Sequence, residues 1–429
     1  MKSIFKPVIA TLLRWEAKAI LKKYNPKIVA VTGSVGKTST KDAIFSVLSK
    51  EYPVRRSEKS FNSDIGIPLT ILGCQNAWSN PISWLKNLIQ GFEMIISTRP
   101  YPEWLVLEVG ADRPGDIKSI SEWLKPDVTV LTKFAKTPVH IEFFNNREEV
   151  IKEKGYMVDV LKHDGFLVLN ADDTDAYSFK GKDNHKTMTY GINSEVDVHG
   201  SYAELYYENN HLAGMQFKVE YAGSTVPFTV KDTVGQQIVY AALAAITVGL
   251  SQNINLIKIS EGISSLVSPL GRMKLISGVK GTMIIDDTYN SSPVAVHSAL
   301  DALSEVKTVG RRIAVLGDMM ELGKHSVEEH KDVGEAAAKS ADMLVTVGIR
   351  SRQTAESAMD NGLSEKNIFQ FENSVEAGDF LQNIIKNGDV ILIKGSQSVR
   401  MERCVEELML EPDKAKELLV RQEEEWKKR

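Results

Sequence analysis

The stretch Val29 to Thr40 reads VAVTGSVGKTST. An apolar run leads into Gly33-Ser34-Val35-Gly36-Lys37-Thr38-Ser39, and a helical pattern follows. Glycines at 33 and 36 let backbone N–H groups approach phosphate oxygens, and the start of the helix adds its dipole. Lys37 is then placed to neutralise β- and γ-phosphate charge, and Thr38 to hold Mg²⁺ through its hydroxyl. Val31 stands where the common G-x-x-x-x-G-K-[ST] loop has its first glycine.

Other reactive side chains sit at the ends of apolar runs. WLVLEVGADRPGDI puts Glu108 at the end of a strand pattern. A carboxylate there lies at the carboxyl edge of a parallel sheet, where ligands bind, and its oxygens suit Mg²⁺. His140, in TPVHIEFF, follows another such run and is a candidate second metal ligand. Lys154, in IKEKGYMV, falls on a helix and on its own reads as a surface lysine. Three runs in the second half also end in small and polar residues: IIDDTYNSSP, VLGDMMELG and ILIKGSQSVRMER. Such edges build sites, and here they are expected to face the phosphate loop across a cleft.

The elements that must position these residues alternate short apolar runs with longer helical ones, the pattern of an α/β chain with parallel sheets. Strands are expected at Ile28–Thr32, Trp104–Val109, Val128–Thr132 and Phe166–Asn170, with helices at Thr38–Lys50 and Gln236–Leu250. Ser201–Val230 alternates and contains NNHLAG and YAGST, so it predicts a small antiparallel patch inserted in the first large domain. A second α/β series, with strands at Thr282–Asp286, Arg312–Leu316, Met343–Val347 and Val390–Ile393, follows SPLG at Ser268 to Gly271. The tail Glu411–Arg429, rich in Lys, Glu and Arg, predicts a solvated helix.

The 429 residues are too many for one core and suggest about two or three domains. A net charge of −4 gives no electrostatic case for nucleic acid. Cys74 and Cys404 lie far apart, make neither a metal spacing nor a disulfide framework, and point to a reducing cytoplasm. No apolar run reaches the ~18 residues needed to span a bilayer. The N-terminal stretch is amphipathic at helical spacing, with Phe5, Val8, Ile9, Leu12, Leu13, Ala17, Ile20 and Leu21 opposed by Lys2, Lys6, Arg14, Lys18, Lys22 and Lys23. Such a helix fits an anionic membrane surface or its own domain, and packing on its own domain is the expectation.

TGSVGKTSTK, FNSDIGIPLT, LEVGADRPGDI, VHIEFF, KEKG, LNADD, GRMK, DDTYNSSP, VLGDMMELG and KGSQSVRMER, in this order from about Lys27 to Leu408, resemble the motifs of the Mur ligase family. The nearest resemblance is to the branch that adds D-alanyl-D-alanine to a UDP-N-acetylmuramoyl-tripeptide in peptidoglycan precursor synthesis. It implies a P-loop-type central ATPase domain over 27–270, with a parallel sheet and the antiparallel insert, and a Rossmann-like α/β domain over 271–429. The N-terminal helix occupies 1–26. It implies an ATP-dependent amide ligase working as a cytoplasmic monomer on these two small-molecule substrates through an acyl phosphate.

By resemblance, residues 33–39 bind ATP, and Thr38, Glu108, His140 and Lys154 serve two Mg²⁺ sites. Lys37, Lys154 and His140 are then catalytic, with Lys154 matching the family's carbamylated lysine. Arg272, Asp287, Tyr289 and Asn290 are implied at the nucleotide. Asn62, Lys394, Ser396 and Arg400 are implied at the substrates. The second half is implied to close over ATP about Pro269–Arg272.

Several positions depart from the family's pattern. Ser63 and Ser292 stand where Asn is usual, and GQQIVYAA, with Gln237, Ile238 and Ala241, replaces a His and two Asn near the adenine. The roughly hundred-residue UDP-sugar domain of the family has no counterpart in the 26 residues before the ATP strand. The sugar is therefore expected to be held differently, or by a partner, or the carboxylate substrate differs. A folate polyglutamate or poly-amino-acid ligase, or an ATP-binding scaffold without activity, are the alternatives.

Overall fold

The computed structural model describes residues 5–58, 61–78, 80–136 and 141–427. Two sheets organise the chain, and their strands come from separate parts of the sequence. The first has nine: β1 (Lys27–Thr32), β2 (Val54–Arg56), β3 (Trp104–Glu108), β4 (Val128–Leu131), β5 (Phe166–Asn170), β6 (Lys186–Gly191), β7 (Val198–Glu208), β8 (His211–Tyr221) and β9 (Ser224–Lys231). Their spatial order is β2-β3-β1-β4-β5-β6-β7-β8-β9. The first seven neighbours pair in parallel, and β7-β8-β9 are antiparallel. Continuous apolar runs such as WLVLE and VTVL form the central strands because helices cover both faces.

The expected antiparallel patch is present as β7-β8-β9, and the structure adds how it is joined to the rest. Tyr190 and Gly191 of β6 pair with Val198 and His199 of β7, so the segment continues the main sheet. Its turns fall at Asn209-Asn210 and Ala222-Gly223, all four with positive φ, as tight hairpins require.

The second sheet holds β10 (Lys274–Ser277), β11 (Met283–Asp287), β12 (Arg312–Gly317), β13 (Met343–Val347), β14 (Ile368–Phe371) and β15 (Val390–Lys394), in the order β10-β11-β15-β12-β13-β14. Only β10 runs antiparallel. The sequence patterns find eleven of the fifteen strands as strands or as part of the alternating segment, and β2, β6, β10 and β14 are additions from the structure. β2, β10 and β14 are short and lie at sheet edges, and the interior β6, KTMTYG, has no continuous apolar run, so the apolar signal is weak in all four.

Helix α1 (Phe5–Tyr24) lies on α3 (Gly66–Leu72) and α4 (Pro81–Ile96). Leu13, Ala17 and Ile20 point inward and are fully buried, whereas Val8 and Leu12 stay exposed. Helix α2 (Lys37–Leu48) packs on the helices Gln236–Ser251 and Leu256–Ser264. That contact needs glycine: a Cβ at Gly262 would lie 2.7 Å from Val47 Cα, and one at Gly249 2.9 Å from Val47 Cγ1. Ser46 Oγ donates to the Gly262 carbonyl at 2.7 Å.

The tail departs from the solvated helix expected of it. Short turns at Pro412–Lys414, Ala415–Leu418 and Glu424–Lys427 replace one helix. Leu419, Val420 and Arg421 are buried. Arg421 donates to the Tyr289 carbonyl at 2.9 Å and to Glu402 Oε2 at 2.8 Å.

Glu16 is buried where α1 meets α4, with its Oε2 close against Gly91 and without a hydrogen-bond partner among the described residues. Burial raises its pKa from 4.5 to about 7. The folded state therefore holds this proton more tightly than the unfolded chain, and stability falls as pH rises from about 4.5 through about 7. Glu16→Gln removes that loss. Thermal unfolding at pH 8 should show the variant melting a few degrees above the parent, roughly the effect of 1–2 kcal/mol, with little difference at pH 4.5.

Candidate active site

Strand β1 lies between β3 and β4, third in the order of the first sheet, so the loop after it opens at a switch point in strand order. Gly33 has φ 143° and a Cβ there would sit 2.0 Å from Thr132 Oγ1. Gly36, at φ 85°, caps α2. Lys37 Nζ folds back over the loop and donates to the Gly33 carbonyl at 3.0 Å and the Ser34 carbonyl at 3.4 Å. Burial lowers its pKa, and the nearby Glu108 carboxylate opposes that shift.

Glu108 ends β3 beside Val31 of β1. Asn62 Nδ2 donates to its Oε1 at 3.3 Å, while Oε2 is buried without a partner among the described residues. Thr38 is buried in the same cavity wall. An unpaired carboxylate oxygen in the same cavity as a hydroxyl fits Mg²⁺, which takes one or two carboxylates plus phosphate oxygens. Among the described residues no group of three His, Cys, Asp or Glu side chains gathers. His140 lies outside the described residues.

Lys154 is carried by α6 (Arg147–Asp159), which follows α5 (Asp116–Ser121). Its neighbour Glu153 fixes the helix: Oε1 accepts from Ile117 N at 2.7 Å and Lys118 N at 3.1 Å, and Oε2 from Gly115 N at 3.0 Å. The carboxylate so placed satisfies the start of α5. Lys154 is itself buried and lines the cavity, where burial first and then the Lys37 charge lower its pKa to about 7.

The second sheet supplies the opposite wall. Asp287 ends β11 and Lys394 ends β15, in register with each other. Lys394 Nζ donates to Asp287 Oδ2 at 2.6 Å and to the Asn290 carbonyl at 2.9 Å, fully buried. Asp287 Oδ1 accepts from Met273 N at 3.3 Å. The Arg272 guanidinium lies 4.2 Å from the centre of the Tyr289 ring. Ser396 Oγ accepts from Met320 N at 2.9 Å. Arg400 is held by Glu402 and by the Trp426 carbonyl, the latter at 2.7 Å.

One cavity of about 790 Å³ gathers these walls. Residues 34–39, Asn62, Glu108 and Lys154 line it from the first sheet, and Arg272, Asp287, Tyr289, Asn290, Lys394, Ser396 and Arg400 from the second. Gly33 lies behind, with its carbonyl on Lys37. The sequence reading did not pick out Asp112, Met320, Glu321 and Trp426, which line the same cavity. Asp112 was in view within LEVGADRPGDI, but Trp426 sits in a tail whose composition hides its packing. Gln237, read from the sequence only as a departure near the adenine, lines the cavity with its Nε2 buried and without a partner among the described residues.

Residues 85–249 match the model of the Mur ligase middle domain, and residues 271–397 that of the Mur ligase glutamate ligase domain. The UDP-N-acetylmuramoyl-tripeptide–D-alanyl-D-alanine ligase of Bacillus subtilis is 30% identical over 409 residues, covering 94% of this chain and 80% of the relative. The enzyme of that name from Escherichia coli is 27% identical, covering 89% and 76%. The solved MurF ligase of Thermotoga maritima in complex with ADP superposes with a TM-score of 0.76 at 26% identity, over 93% of this chain and 83% of that one. The folylpolyglutamate synthase of Thermotoga maritima superposes with a TM-score of 0.59 at 15% identity, a likeness of fold alone.

The Lys394–Asp287 pair gives a direct test of how the second wall is held. Asp287→Asn leaves a buried ammonium without its counter-charge and should cost about 3–5 kcal/mol of stability. Combining it with Lys394→Met should recover most of that loss. Denaturant unfolding of the three variants measures both.

Proposed function

The chain belongs to the Mur ligase family and is an ATP-dependent carbon–nitrogen ligase of peptidoglycan precursor synthesis, and from that premise we propose that it joins D-alanyl-D-alanine to a UDP-N-acetylmuramoyl-tripeptide. The observation that carries this reading is a cavity shared by the two sheets, with a phosphate loop from one facing Arg272, Asp287 and Tyr289 from the other. Two chemical steps are required. A substrate carboxylate oxygen attacks the γ-phosphorus and ADP leaves. The amine then attacks the acyl carbon, the P-bearing oxygen departs as phosphate, and the amine loses a proton.

Each step brings like charges together, so positioning and fixed cations supply most of the catalysis. Lys37 sets its ammonium over the loop, where the transferring phosphoryl group gains charge. Arg272, stacked on Tyr289, places a second cation on the nucleotide from the opposite wall. Glu108 and Thr38 would hold Mg²⁺, which when bound draws charge off the phosphate oxygens. Asn62 keeps the Glu108 carboxylate turned, and Lys394 keeps Asp287 and the turn at Asn290 in place.

Lys154 supports a further part of the reading. A pKa near 7 leaves much of its amine neutral at physiological pH, and the neutral amine is the form that adds carbon dioxide. A carbamate at this position would turn the cation into an oxygen ligand able to hold a second Mg²⁺, the role that the resemblance also gives to His140. The unit is proposed to work as a monomer. No feature of the cavity favours a folate substrate or a scaffold role.

Incubation with ATP, Mg²⁺, bicarbonate, UDP-N-acetylmuramoyl-tripeptide and D-alanyl-D-alanine should give the pentapeptide product and ADP by mass spectrometry. Lys37→Ala should lower turnover by about 10²–10³ or more. Nucleotide binding without product would overturn the substrate assignment. With ¹³C-bicarbonate, the parent should show a carbamate carbon resonance that Lys154→Arg lacks; its absence in the parent would remove the carbamylation reading.

A further inference from the structure

Helix α4 is amphipathic in an unusual direction. Its inner residues Trp84, Gly91 and Met94 are buried. Its outer face carries Ile82, Leu85, Ile89, Phe92 and Ile96, at spacings of three and four residues, each 51–68% exposed. Helix α1 lies alongside and runs in the same direction: Glu16 meets Gly91, and Lys23 Nζ donates to the Met94 and Ile95 carbonyls at 3.0 Å. Val8, Leu12 and Trp15 of α1, within about two turns before Glu16, are 43–56% exposed. Single exposed apolar residues are ordinary, but eight large ones on two neighbouring helices mark a surface that something covers.

The charges around this face say what covers it. Lys18 and Lys22 of α1 and Lys86 of α4 are exposed. Of the acids of the two helices, Glu16 is buried, and the exposed Glu93 is offset by its pairing with Arg99 at 3.0 Å. The chain as a whole carries −4, so this face is cationic on an acidic protein. A second copy would set the same lysines against one another.

We propose that the outer faces of α1 and α4 dock the protein on an anionic lipid surface. The apolar residues enter the headgroup boundary, and the lysines meet lipid phosphates. The helices lie on the bilayer and do not cross it: their inner faces are taken up by the protein, and among the described residues no helix is long and apolar enough to span. The inference stands apart from the ligase reading, because none of these side chains lines the ATP cavity.

Sedimentation of the full chain with vesicles of phosphatidylglycerol and phosphatidylcholine, against phosphatidylcholine alone, tests it. Expected is binding to the anionic vesicles only, weakened about tenfold or more by 0.5 M salt and by either Lys18→Glu/Lys22→Glu/Lys86→Glu or Leu85→Glu/Ile89→Glu/Phe92→Glu. Circular dichroism and ATP binding should be unchanged in both variants, and the single change Ile89→Lys gives the same reading if a triple variant misfolds. No binding to anionic vesicles, or binding that none of these changes weakens, would sink the proposal. So would a concentration-dependent dimer, seen by light scattering, that the apolar substitutions break while vesicle binding is absent.

Discussion

A lysine ammonium set inside a protein has to be paired or made neutral, and this requirement orders the whole cavity. Three lysines meet it in three ways. Lys394 is paired outright with Asp287 and capped by the Asn290 carbonyl. Lys37 rests on two carbonyls of its own loop, with the Glu108 carboxylate as the nearest opposing charge. Lys154 is pushed toward neutrality by burial and by Lys37. The first solution makes a rigid wall, the second a cation ready to change partners, and the third a nucleophilic amine.

The two sheets meet this requirement jointly. Asp287 is bound to Lys394 and also to the backbone of Met273, so the second wall is tied to the chain that enters it. Arg421 comes from far along the sequence to hold the Tyr289 carbonyl, and Trp426 stands edge-on to Trp78 with ring centres 6.1 Å apart. The tail therefore bridges both halves at the mouth of the cleft. Arg400, which the resemblance places at the substrate, spends its guanidinium on Glu402 and the Trp426 carbonyl, and so serves this closure.

Much of this was legible in the sequence where a short motif coincides with a backbone demand. Gly33, Gly36, Lys37 and Thr38 announce the loop because few other residues tolerate its geometry. Glu108, Asp287 and Lys394 could be placed because each ends an apolar strand. The continuation of the main sheet through β7 could not be read, since alternation predicts a half-exposed strand but not its neighbour. The tail was misread because its charged composition conceals Leu419, Val420 and Arg421, which are buried. Such long-range partners carry no local periodicity.

The glycine contacts behind the loop have a mechanical meaning. Val47 is wedged between Gly249 and Gly262 at distances that leave no slack, and Ser46 bolts the joint. A shift of α2 cannot be absorbed there as it would be by flexible side chains. It must carry the helices Gln236–Ser251 and Leu256–Ser264 with it, and the latter runs straight into the segment that leads to Gly271 and Arg272. The loop at residues 34–39 and the turn that carries Arg272 are thus linked through one tight helix contact, whose closeness depends on a pair of missing methyl groups.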